Sequence, residues 1–142
     1  MRECASIPRA GQPGTWITRE MREAYGRLHS MGYAHSVEVY DGEELAGGIY
    51  GVAIGRMFFG ESMFSRESGG SKVALAGLAH RLCEWGWPLI DAQVENPHLM
   101  SLGAERVRRG DFALLVERLT SLPEAPGSWT QRFGELAASS LA

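Results

Sequence analysis

The sequence predicts an α+β domain in which one helix precedes an antiparallel three-stranded meander and a strand-helix-strand unit follows it. Three observations support this prediction. Turn dipeptides at residues 41–42 and 55–56 divide an apolar stretch into three strand-sized segments. A helical apolar stripe follows at residues 71–85. A further strand-like segment, WPLIDAQV, comes directly after that helix.

The first helix is predicted from its cap and its periodicity. Thr18 is a candidate N-cap and Gly32 a candidate stop signal. Between them, apolar residues recur at helical spacing: Met21, Ala24, Tyr25 and Leu28. The residues before this helix are predicted to be irregular because they hold several helix and strand breakers, namely Pro8, Gly11, Pro13 and Gly14.

The middle of the chain supplies the sheet and its crossover helix. The three strands are read from AHSVEVY, LAGGIYGVAI and MFFGESMF. SRESGGS is a small-residue loop, and the next helix carries the stripe Ala74, Leu75, Leu78 and Leu82. A strand, a helix and a second strand joined by a short return predict a parallel pair.

The last third of the chain is predicted to be mostly helical. NPHLMSLG is read as a turn, FALLVERL as a helix capped by Asp111, and residues 123–142 carry little signal. A helix, a meander and then a βαβ unit is the layout of the GCN5-related N-acetyltransferase fold. We therefore expect residues 1–142 to form one acyltransferase-like domain.

Composition narrows the class of protein. The chain of 142 residues is 44% hydrophobic and 22% charged, with a formal net charge of −3, so it has no basic surface excess for a polyanion. Cys4 and Cys83 form no CxxC pair, and the four histidines share no metal-ligand spacing. The sequence predicts a reduced, cytoplasmic protein without a metal site, a signal peptide or a membrane span.

Glu61 is a carboxylate inside the apolar segment FFGESMFS. Burial of an unpaired carboxylate costs several kcal/mol, so Glu61 needs a partner, a shifted pKa or a polar pocket. Asp91 and Gln93, two residues apart on the next predicted strand, are expected to share one face and to meet Glu61 at the carboxyl ends of the strands. A half-exposed strand would give the same alternation, so the pattern alone leaves both interpretations open.

Several segments resemble leucyl/phenylalanyl-tRNA–protein transferases. These are GTWIT, AYGRLHSMGYAHSVEVY, LAGGIYGVAIG, FFGESMFSR, LIDAQ and the spaced set H..SLGAE, in the family's order. The resemblance runs over residues 2–119, and GESMFS together with LIDxQ is its specific part. Ala92 departs from the LIDCQ that is usual there. The family's N-terminal domain, with its basic tRNA surface, is expected to be absent from this chain.

The resemblance implies transfer of an amino acid, Leu, Phe or similar, from aminoacyl-tRNA to an α-amine. The acceptor is a protein or peptide with N-terminal Arg or Lys, and the reaction uses neither CoA nor metal. The product is marked for degradation by the N-end rule.

The resemblance also implies roles for individual residues. Asp91 and Gln93 form a relay in which the amide oxygen accepts from the attacking amine, and Glu61 positions the acceptor. An apolar pocket for the transferred side chain is implied at Ile49, Phe58, Met63 and Ile90, and Trp16 is implied to stack on the terminal adenosine. Read without the family, these apolar residues are ordinary core candidates.

The residues leave three alternative functions open. Arg66, Gly69 and Ser71 approximate the pyrophosphate loop R/QxxGxG/A, so the chain could be an acyl-CoA N-acyltransferase. It could also be a non-catalytic binder of basic N-termini. A stand-alone transferase would accept a small-molecule amine in place of a protein.

Overall fold

The computed structural model describes residues 1–7 and 15–141. The predicted breakers at Pro8, Gly11, Pro13 and Gly14 therefore lie outside the described residues. The helices are α1 (Arg2–Ser6), α2 (Arg19–Ser30), α3 (Gly70–Glu84), α4 (Pro97–Ser101), α5 (Arg109–Thr120) and α6 (Thr130–Phe133), with a 3₁₀ helix at Ala138–Leu141. The strands are β1 (Ala34–Asp41), β2 (Glu44–Ile54), β3 (Met57–Ser65) and β4 (Leu89–Asp91).

The four strands form one mixed sheet in the order β1-β2-β3-β4. The first three are antiparallel, and β4 pairs parallel to β3 after the α3 crossover. The predicted turns are confirmed, since Gly42 and Gly55 adopt positive φ at the two hairpins. The α+β class, the meander and the parallel pair are thus confirmed.

Helix α2 begins and ends where its signals predicted. The Thr18 hydroxyl accepts a hydrogen bond from the Met21 N–H, and Gly32 follows the helix with φ of 81°. The prediction of an irregular lead-in is wrong for residues 2–6, which form α1. This short helix is held by contacts distant in sequence, because Cys4 is buried and Glu3 pairs with Arg66.

The sheet has a core on each face. Helix α3 buries its predicted stripe, with Ala74, Leu78 and Leu82 at most 1% exposed, in a cluster with Ile49 and Phe58. On the opposite face, residues from the N-terminal part of the chain pack on residues of β2 and β3 in a second cluster: Cys4, Ile17, Tyr50 and Phe64. Both faces of β2 and β3 are therefore buried, as their long apolar runs require.

Three local predictions are corrected. WPLIDAQV contributes only three residues, Leu89–Asp91, to the sheet. NPHLMSLG contains α4 rather than a turn, because Asn96 caps the Leu99 N–H and Pro97 suits a first helical position. Asp111 does not cap α5, which already begins at Arg109. Instead, Asp111 lies in the first turn, where it bonds Arg108 and favours the helix dipole.

The C-terminal segment completes the first core, which its weak sequence signal did not predict. Trp129 stacks face to face on buried His35 at 3.9 Å and contacts Phe58, Trp85 and Trp87. Burial lowers the pKa of His35 to about 4, so this imidazole is neutral. In the described part of the chain, no helix has the length and apolarity to cross a membrane.

Candidate active site

A cavity of about 1080 Å³ opens where β3 and β4 separate. The two strands pair only from Met57 opposite Leu89 to Phe59 opposite Asp91. Beyond that point β3 continues to Ser65, while the chain after β4 turns away toward α4. The walls of the cavity are therefore the diverging ends of two neighbouring strands, the position at which open sheets commonly bind ligands.

Gln93 lies outside β4 in a left-handed conformation. Its φ is 61°, and among the described residues it is the one non-glycine residue with a positive φ. The expectation that Asp91 and Gln93 share a strand face is therefore wrong, because strand alternation ends at Asp91. The two residues still meet, since the Gln93 backbone N–H donates to Asp91 Oδ1 at 2.8 Å.

The side chain of Gln93 bridges the gap between the strands. Its Nε2 donates to the backbone carbonyl of Gly60 on β3 at 2.7 Å. This contact fixes the amide, because the opposite orientation would bring two oxygens together. It leaves Oε1 as an acceptor, and Gln93 lines the cavity together with Asp91.

Glu61 occupies a β-bulge next to this bridge. Gly51 pairs with Gly60 and Tyr50 pairs with Ser62, so Glu61 is an extra residue in β3. Its half-buried carboxylate lines the cavity, and burial together with this neighbouring carboxylate raises the pKa of the Tyr25 phenol to about 12. The carboxylate within the apolar segment thus has a polar neighbour, and it lies at a polar cavity.

The cavity is electrostatically negative. Glu61, Asp91 and Glu95 line it, and none of its described lining residues is Lys or Arg. Arg106 binds both oxygens of Glu95 at 2.6 Å and lowers the pKa of that carboxyl. Among the described residues, Glu61 and Asp91 have no such cationic partner, so this cavity favours a cationic guest.

Three of the four predicted pocket residues lie along the cavity: Ile49, Met63 and Ile90. Phe58 does not line it. Phe58 is opposite Ile90 in the paired part of the strands, is 1% exposed, and packs in the core beneath α3. Trp16 stands at the cavity with 46% of its surface exposed.

The sequence interpretation missed part of the apolar wall. Leu99 and Leu102 line the cavity from α4 and the residue that follows it. The Asn-Pro pair at residues 96–97, a cap followed by a first-turn proline, was the signal that could have identified this wall.

The loop before α3 uses its polar groups internally. The guanidinium of Arg66 donates to Glu3 at 2.6 and 2.9 Å. The Ser71 N–H donates to Ser65 Oγ at 2.8 Å, and the amides of Arg66 and Glu67 donate to the Ala46 carbonyl. Two of the groups predicted to hold a CoA pyrophosphate, the Arg66 guanidinium and the Ser71 N–H, are thus already bonded. Within the described ranges, no three His, Cys, Asp or Glu side chains are grouped to hold a metal ion.

Comparison with known proteins yields one family. The family described as leucyl/phenylalanyl-tRNA protein transferase matches residues 1–117. The leucyl/phenylalanyl-tRNA–protein transferase of Xanthomonas euvesicatoria pv. vesicatoria (strain 85-10) is 70% identical over 138 residues, covering 97% of this chain and 55% of that protein. The enzyme of that name from Xylella fastidiosa (strain M12) is 65% identical over 132 residues, covering 93% of this chain and 54% of that protein. The chain spans about half the length of the curated relatives it matches.

Proposed function

Because the chain belongs to the leucyl/phenylalanyl-tRNA protein transferase family, we propose that its cavity transfers an amino acid from aminoacyl-tRNA to the α-amine of an acceptor with N-terminal Arg or Lys. The amino acid is Leu, Phe or a similar apolar residue. Residues 1–142 act as one catalytic unit of the GCN5-related N-acetyltransferase type, a proposal supported by the separation of β3 from β4 at the cavity.

The observation that carries this proposal is the fixed amide of Gln93. With Nε2 bonded to Gly60, Oε1 can accept a hydrogen bond from the attacking amine. Asp91 acts through the backbone, since its carboxylate holds the Gln93 N–H and thereby the left-handed turn. The relay is thus a positioning device that orients a neutral amine toward the ester.

The reaction balances without an external acid or base. The amine nitrogen forms a bond to the ester carbonyl carbon, and the bond from that carbon to the ribose oxygen breaks. The amine loses one proton and the leaving ribose oxygen gains one. Because the ester is already activated, correct placement of the neutral amine is the main catalytic requirement.

The cavity offers separate surfaces to the two substrates. Ile49, Met63 and Ile90 form an apolar side suited to a Leu or Phe side chain. Glu61 belongs to the acidic side, where it would bind the cationic side chain of the acceptor. Stacking of the terminal adenine on exposed Trp16 would contribute roughly 1–3 kcal/mol.

The experiment that tests this proposal is transfer of radiolabelled Leu or Phe from charged tRNA to an Arg-initiated peptide. An N-acetylated copy of the peptide is the matched acceptor control, because it lacks only the nucleophile. An aminoacyl-adenosine analogue replaces the tRNA in a parallel reaction and separates binding of the 3′ end from binding of the tRNA body.

Variants of the relay complete the test. Asp91→Ala, which removes the acceptor of the Gln93 N–H, and Gln93→Ala should each lower transfer by at least roughly 100-fold. Asp111→Asn, a surface carboxylate on α5, is the control and should transfer at the wild-type rate. Acetyl transfer from acetyl-CoA by the wild type, with none from aminoacyl donors, would refute the donor assignment. Binding of Arg-initiated peptides without any transfer would identify a non-catalytic binder.

A further inference from the structure

The direction of the Glu61 carboxylate is not set by its own strand. At a β-bulge the extra residue leaves the regular ladder, and its side chain is re-aimed relative to the strand. A contact from another element can therefore set where the carboxylate lies.

Tyr25 on α2 supplies that contact. Its ring packs edge-on against Tyr50 with centroids 5.5 Å apart, which places its phenol beside the Glu61 carboxylate. Tyr50 is 3% exposed and pairs with Ser62, the residue next to Glu61. The phenol is thus held by the same part of the sheet that carries the bulge.

The charge state of Tyr25 defines what it can do. Burial and the neighbouring Glu61 carboxylate raise the pKa of Tyr25 to about 12. At neutral pH the phenol therefore keeps its proton and donates a hydrogen bond. It cannot remove a proton from the acceptor amine, which rules out a role as general base.

We propose that Tyr25 is a positioning residue that holds the Glu61 carboxylate in the orientation that binds the acceptor's cationic side chain. This inference rests on the proposed function, in which Glu61 recognises the basic N-terminal residue. Tyr25 occupies one acceptor position on the carboxylate and leaves the others for the cation. Loss of the hydroxyl would therefore weaken acceptor binding and leave the bond-forming step intact.

A double-mutant cycle tests the inference with argininamide as the acceptor probe and calorimetry as the measurement. Tyr25→Phe removes only the hydroxyl and keeps the contact with Tyr50. Tyr25→Phe and Glu61→Gln should each weaken binding about tenfold, the cost of losing one hydrogen bond to a charged group. The double variant should bind no more weakly than Glu61→Gln. Tyr40→Phe, at a residue that is 57% exposed, is the matched control and should bind as the wild type does.

Kinetics provide a second measurement. With an Arg-initiated peptide, Tyr25→Phe should raise KM about tenfold and change kcat by less than about threefold. Wild-type affinity and KM in Tyr25→Phe, or losses that add fully in the double variant, would overturn the inference.

The failure of this inference can be distinguished from failure of the proposed function. If the wild-type chain binds no argininamide, the cation site of the proposed function is overturned. Independently, the ¹³Cδ NMR resonance of Glu61 should move in Tyr25→Phe and stay in place in Tyr40→Phe. An unmoved resonance in Tyr25→Phe would overturn the positioning contact itself.

Discussion

Substitution of Gln93 by Gly and by Ala should separate its conformational cost from its chemical role. A left-handed conformation costs a residue with a Cβ about 1–2 kcal/mol, and glycine does not incur that cost. Both variants lose the amide and its bond to Gly60. Gln93→Gly should therefore be more stable than Gln93→Ala by about 1 kcal/mol, while both lose transfer by at least roughly 100-fold.

Urea unfolding followed by tryptophan fluorescence measures this difference, because Trp85, Trp87 and Trp129 lie together in the core. The matched pair is Glu117→Gly and Glu117→Ala on exposed α5, where Ala should be the more stable by about 1 kcal/mol. The sign of the Gly-to-Ala difference should thus reverse between the two positions. A more stable Gln93→Ala would refute the left-handed turn, and wild-type transfer by Gln93→Gly would refute the role of the amide.

Two further predictions concern stability. Burial holds the folded pKa of His35 near 4, below the value of 6.5 in the unfolded chain, so the contribution of neutral His35 to stability should be fully present above pH 6.5. As the pH falls toward 4, the free energy of unfolding should decrease by about 3 kcal/mol at most. His35→Phe, which can keep the stack on Trp129, should reduce that pH dependence when urea unfolding is measured at a series of pH values. Gly47→Ala should destabilise the fold by about 3 kcal/mol, because the added Cβ would lie 2.4 Å from the Gly70 backbone. The control is Gly26→Ala, whose Cβ meets no atom within 4 Å and which should stabilise α2 by about 0.5–1 kcal/mol. Equal melting temperatures of these two variants would contradict the close approach of the Gly47 and Gly70 backbones.

The predictions from the sequence that succeeded relied on local signals, although the local signals at Asp111 and in NPHLMSLG were misread. The Thr18 cap, the hairpin glycines and the α3 stripe each depend on neighbours within a few residues, and all three were confirmed. The point at which β3 and β4 separate depends instead on how far the two strands pair, which neither segment reveals by itself. That is why β4 proved shorter than its apolar run and why Phe58 lies in the core instead of at the cavity.

Apart from the wall formed by α4, the features that the sequence did not predict lack a local signal and mostly depend on contacts distant in sequence. A bulge at Glu61 is defined only by the register of β2, and its partner Tyr25 is on another element. The left-handed Gln93 is no more evident, since glutamine carries no turn signal of its own. In the core, the position of Trp129 could not be predicted from its neighbours in sequence, because its partners lie on β1, on β3 and at the end of α3.

The site and the opening of the sheet are one structural feature. Past Phe59 and Asp91 the backbone ladder between β3 and β4 ends, and the Gln93 amide takes over as the next link by bonding the Gly60 carbonyl. A Cβ at Gly60 would lie 3.3 Å from the Asp91 carbonyl, so a glycine there keeps the two strands close enough for that bond. The side chain that replaces a ladder bond is therefore oriented by the sheet itself. This is why a polar group on an exposed, irregular segment can have the fixed geometry that the proposed aminoacyl transfer requires.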